Sequence, residues 1–137
     1  GSLSTVNSIV LAAQATRKAF AERDLSAEAL DGLVLGMTVP QMSNLFGGPW
    51  VGALIGADGI TGTMVSQACA TGARAMATAA SEIETSGDRT MLAVTTDRCS
   101  NGPHNTDPNP AGPGRTGQNE EVVMDSYGND PWARNSM

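Results

Sequence analysis

Val65-Ser66-Gln67-Ala68-Cys69-Ala70-Thr71-Gly72-Ala73-Arg74-Ala75-Met76-Ala77-Thr78-Ala79-Ala80 is the stretch on which the fold turns. Its start completes the run Thr63-Met64-Val65-Ser66-Gln67, which reads as a strand. From Ala70 to Ala80 the chain is rich in alanine, the strongest helix former. The spacing puts Ala73, Met76, Ala77, Ala80 and Ile83 on one face, which is the face expected to be buried. Ser86-Gly87-Asp88 ends that helix, and Thr90-Met91-Leu92-Ala93-Val94-Thr95-Thr96 reads as another strand. Strands that alternate with helices imply βαβ units, a largely parallel sheet and an α/β fold.

Upstream, Val6, Ile9, Val10, Ala13 and Phe20 recur at helical spacing between Thr5 and Glu22, with Ser4 as the expected N-cap. Ser26 to Ala29 reads as a further helical turn, and Leu33-Val34-Leu35-Gly36-Met37 as a strand. Asn44 to Ala57 has a weaker helical signal, because Gly47, Gly48, Pro49 and Gly52 interrupt it. Downstream, Asn101 to Gly117 holds four Pro and four Gly and reads as a long loop. The division expected from composition is residues 1–98 as one domain and 99–137 as the start of a loop region, cut short.

Composition narrows the function classes. The chain has 137 residues, a net charge of −6 and no basic stripe able to displace phosphate counterions, so a nucleic-acid partner is not expected. Zinc is not expected either, since the two cysteines, Cys69 and Cys99, form no CxxC pair and no cluster with histidine. No apolar run is long enough to cross a bilayer, and no signal peptide is visible. The expected setting is therefore cytoplasmic, with no membrane partner.

Cys69 is the residue that carries chemistry. It falls where a strand ends and a helix begins. The unpaired amides of a first helical turn and the positive end of its dipole favour negative charge, and thiolate is the nucleophilic form of cysteine. Amides at such a junction also suit an oxyanion, as acyl transfer requires. Gly72, one turn on, is expected to keep the junction uncrowded. The plain alternative is an inert thiol packed in the core, where free cysteines usually lie.

Val65-Ser66-Gln67-Ala68-Cys69-Ala70-Thr71-Gly72, with the helix and strand that follow, resembles the nucleophile region of thiolases, which carry a Cys-Ala-Ser-Gly type motif there. Thr71 stands for the usual Ser and keeps the hydroxyl. Gly1-Ser2-Leu3-Ser4 resembles the family's "GGSL" stretch, and Asp31-Gly32-Leu33-Val34-Leu35-Gly36 its "D-x-V-I-x-G" strand. Asp130 to Met137 resembles the approach to the "H-M-G" segment of some thiolases, which makes Met137 a substrate-binding residue by resemblance. Thr96-Asp97-Arg98-Cys99-Ser100 departs from the common "G-G-M-E-S-M-S" pattern and puts Cys99 where the family often has Met, so Cys99 is read as structural or incidental.

The resemblance implies the N-terminal half of a layered αβαβα thiolase-like fold, truncated at both ends. It implies an acetyl-CoA acetyltransferase-type enzyme of lipid metabolism. Acyl groups would move by ping-pong transfer through a Cys69 thioester, in thiolysis or Claisen condensation. CoA thioesters would be substrates, no cofactor is implied, and the assembly would be a homodimer or homotetramer. The family's "G-H-P", "C-x-G" and "N-E-A-F" motifs do not occur here, and the lone His104 reads as a loop residue. The family's first strand is also missing, so the remaining strands are expected to lack a central partner. The rival reading is a non-catalytic thiolase-like protein that binds lipid or acts as a scaffold.

Overall fold

A computed structural model describes residues 2–39, 44–87, 89–100, 105–108 and 120–123. By internal contacts the chain forms two units, Gly1–Ser100 and Asn101–Met137.

The first unit opens with helix α1, Ser8–Glu22. Its N-cap is Asn7 and not Ser4: the Asn7 side chain accepts from the amides of Ile9 (2.9 Å) and Val10 (3.3 Å). Those are the second and third helical residues, the donors that an N-cap side chain reaches. A short 3-10 turn, Ala27–Ala29, capped by Ser26, leads to strand β1, Gly32–Gly36. Helix α2, Gly47–Ile55, ends on Gly56 at φ 84°, the left-handed conformation that glycine adopts at least strain. Strand β2 is Thr61–Val65, helix α3 is Thr71–Ser86 and strand β3 is Met91–Thr95.

All three strands are parallel, in the order β2-β1-β3. β1 is buried along its whole length, as a strand covered on both faces must be. Its alternating side chains serve two cores. Leu33 and Leu35 join Ile9 and Ala13 of α1 and Val51 and Ile55 of α2; Val34 meets Ala75 and Ala79 of α3. The result is a three-layered α/β/α unit. Among the described residues β1 lies between β2 and β3, so these strands do have a central partner, contrary to expectation.

Two glycines fix the spacing of α2 on the sheet. A Cβ at Gly48 would stand 2.6 Å from the carbonyl oxygen of Gly62, and one at Gly62 would stand 2.5 Å from the carbonyl carbon of Gly48. The glycines that weakened the helical signal are what let α2 lie backbone to backbone on β2.

The α3 face is a second correction. Thr71, Ala75 and Ala79 face the sheet, while Met76 and Ile83 are 64% and 41% exposed. The buried stripe lies nearly opposite the one expected. Alanine on both sides of the helix blurs its periodicity, and the small Ala75 and Ala79 permit the closer approach to β1.

In the second unit, strands β4, Asn105–Pro108, and β5, Glu120–Val123, pair antiparallel, with Asn105 opposite Val123. Part of the expected Asn101–Gly117 loop is thus a strand.

Candidate functional site

In a parallel sheet, ligand sites form beyond the carboxyl ends of the strands, near the point where successive connections part to opposite sides. Here β1 connects through α2 to β2 on one side, and β2 connects through α3 to β3 on the other. The segments that leave the carboxyl ends of β1, β2 and β3 begin at Met37, Ser66 and Thr96.

These segments are laced together. The sheet ladder runs one step further, with the Met37 amide donating to Val65 O (3.1 Å) and the Thr96 amide to Gly36 O (3.0 Å). The Asp97 carboxylate then accepts from the amides of Thr38 (2.9 Å) and Val39 (2.6 Å). From the same segment, the Thr96 hydroxyl donates to Ser8 O (2.9 Å) and the Arg98 guanidinium to Val6 O (3.0 Å).

Between β2 and α3 the chain makes a sharp turn. Gln67 is the N-cap of the 3-10 turn Ala68–Ala70, which runs straight into α3. Ala68 has φ 45°, a left-handed conformation that costs a non-glycine residue about 1–2 kcal/mol. Such strain persists only where neighbouring contacts over-determine it. The Thr71 hydroxyl supplies those contacts: it accepts from the Gln67 amide (2.8 Å), donates to Ala68 O (2.7 Å) and lies 2.9 Å from the Thr38 hydroxyl. Arg74 Nε holds the Gln67 side chain at 2.9 Å.

Cys69 sits on this turn and is exposed. It belongs to neither of the two cores on the faces of β1. Cys99, four residues past β3, is exposed too, and neither cysteine is in a disulfide. Gly72 does not relieve crowding as expected: a Cβ there would meet no described atom within 4 Å. His104 and Met137 lie outside the described residues, and among the described residues no group of His, Cys, Asp and Glu could hold a metal ion.

No family model matches the chain. It is 34% identical over 90 residues to the mycobacterial beta-ketoacyl-(acyl-carrier-protein) synthase III of Mycobacterium tuberculosis and of Mycobacterium bovis. That match covers 66% of this chain and 27% of those proteins. The crystal structure of a Bacillus anthracis acetyl-CoA acetyltransferase matches 93% of the chain with a TM-score of 0.73 at 18% identity. The fold is thiolase-like. This chain spans about a third of that thiolase's length and about a quarter of the length of the curated relatives it matches.

Sequence reasoning located the strand-to-helix turn around Cys69 but missed what braces it. Thr38 and Asp97 each fall two residues beyond the end of a strand, and that position was their only signal. Among the described residues no helix is long and apolar enough to cross a membrane.

Proposed function

We propose that the chain carries the nucleophile of an acyl-transferring enzyme of the thiolase-like class, with Cys69 as the acyl acceptor. The carrying observation is an exposed thiol on a strained, fully braced strand-to-helix turn at the carboxyl ends of three parallel strands. The similarity to an acetyl-CoA acetyltransferase and to a beta-ketoacyl-(acyl-carrier-protein) synthase supports a thioester substrate.

In this reading Cys69 Sγ attacks the carbonyl carbon of an acyl-CoA. The Sγ–C bond forms as the bond from carbon to CoA sulfur breaks, and CoA leaves with the proton that the thiol gave up. The first amides of a helical turn have no earlier partner in that turn, so the Cys69 N–H is placed to donate to the oxyanion. In condensation an enolate carbon then attacks the Cys69 thioester and the Sγ–C bond breaks to restore the thiol group. In thiolysis Cys69 instead attacks the keto carbon of a 3-ketoacyl-CoA, and the carbon–carbon bond breaks to release an enolate that takes up a proton. CoA then takes the acyl group from Cys69. Dividing the transfer into two steps through a covalent intermediate lowers the highest barrier.

The test is to mix the protein with acetyl-CoA, quench it with acid and map the peptides by mass spectrometry. One acetyl group on the Cys69 peptide, absent in Cys69→Ala, is expected. Acetylation at Cys99 only, or at neither cysteine, would overturn the reading.

A further inference from the structure

We propose that Asp97 and Thr71, joined through Thr38, are positioning residues that hold the Cys69 turn in its reactive shape; this rests on Cys69 being the acyl acceptor. Asp97 accepts from two consecutive amides, Thr38 and Val39, and so fixes the backbone just past β1. The Thr38 hydroxyl is thereby presented to the β2–α3 turn, 2.9 Å from Thr71 Oγ1 and 3.2 Å from Ala68 O.

A hydroxyl has one proton to give and two lone pairs to fill. Thr71, itself buried, has three partners at hydrogen-bond distance: the Gln67 N–H, which donates to it, Ala68 O, and the Thr38 hydroxyl, a pair in which either oxygen can be the donor. The two residues held in this way, Gln67 and Ala68, immediately precede Cys69, and Ala68 is the left-handed one. Loss of the Thr71 hydroxyl leaves the strained residue without its restraint. Loss of the Asp97 carboxylate frees Thr38, and with it one third of the Thr71 bonds. The Asp97 bonds tie the segment leaving β3 to the one leaving β1, and the Thr38–Thr71 contact ties that one to the segment leaving β2, so the brace belongs to the site end of the sheet and not to any single element.

The opposite end of the sheet supplies a matched control. There Asp31 accepts from the Thr90 amide at 2.7 Å, a carboxylate-to-amide bond of the same kind, remote from Cys69. The variants are Thr71→Val, which keeps the shape and loses the hydroxyl; Thr71→Ser, which keeps the hydroxyl; Asp97→Ala; Asp97→Asn; and Asp31→Ala. Two rates are read at Cys69: iodoacetamide alkylation and acetylation by acetyl-CoA. Misplacing a reacting group by about 1 Å costs about 100-fold, and a partial shift is expected to cost about tenfold.

Thr71→Val and Asp97→Ala should therefore slow acetylation by about tenfold or more and change the alkylation rate, with Thr71→Ser and Asp97→Asn close to the parent. Asp31→Ala should lower stability and leave both Cys69 rates unchanged. If Thr71→Val does not fold, the comparison of Asp97→Ala with Asp97→Asn decides. Rates unaltered in Thr71→Val and Asp97→Ala overturn the brace, as does an equal loss in Asp31→Ala. A parent protein that is not acetylated at all refutes the acyl-acceptor reading instead, and the alkylation rates still judge the brace.

Discussion

Replacing Gly36 by alanine tests how tightly α3 is seated beneath the Cys69 turn. A Cβ at Gly36 would lie 2.8 Å from Thr95 Cγ2, 2.9 Å from Thr71 Cγ2 and 3.5 Å from Ala75 Cβ. None of these is the end of a flexible side chain. Thr71 cannot rotate away, because its hydroxyl is held by Gln67, Ala68 and Thr38. An extra methyl in a packed site costs about 1–3 kcal/mol. Against that stands about 0.4–1 kcal/mol gained by removing a glycine from the unfolded chain. The expected net loss is about 1–2 kcal/mol, read as a lower urea midpoint at unchanged slope. Thr71→Ser removes the obstructing methyl and keeps the hydroxyl. Alone it should cost about 1 kcal/mol for the lost buried carbon. In the Gly36→Ala background it should cost less or even stabilise, giving a coupling of about 1 kcal/mol in a double-mutant cycle. Simple additivity of the two substitutions would refute the reasoning, as would a Gly36→Ala protein as stable as the parent.

Asn7→Ala removes the side chain that accepts from Ile9 and Val10 and should lower stability by about 1 kcal/mol, measured by the same urea titration. Ser4→Ala should have no such effect on the start of α1, which circular dichroism and unfolding together would check. Gly72→Ala places a methyl in open space early in α3 and should raise stability by about 0.5 kcal/mol; destabilisation would show that something covers that position.

The order of elements was legible because their signals are local. Alanine density marked α3, Gly87 its end, and the Leu33–Val34–Leu35 run a strand buried on two sides. What escaped depended on partners far away in sequence. Strand β2 starts at Thr61, two residues before its expected start, because Gly62 is accepted into the strand where the backbone of Gly48 passes over it. The seated face of α3 was misjudged because apolar periodicity assigned Met76 and Ile83 to the core, whereas close approach to the sheet selects the smaller Ala75 and Ala79. At the site, Cys69 announced itself by its place between a strand and a helix. Asp97 did not, because a lone carboxylate 58 and 59 residues from the amides it holds leaves no periodic trace.

Those separations also set an order of assembly. α3 contains its own hydrogen bonds and can form while the rest of the chain is still searching. The shape of the turn before it depends on closing a span of 33 residues to Thr38, which is itself fixed only after a span of 59 residues to Asp97 has closed. Loop closure of that length is slow and is repaid only when the contacts at its end are made. The long-range part of the brace on the Cys69 turn is therefore complete only once the segments leaving all three strands have met. It is also exposed to local opening, since letting go of Asp97 loosens the Thr38 side of the brace while the cores on both faces of β1 stay intact.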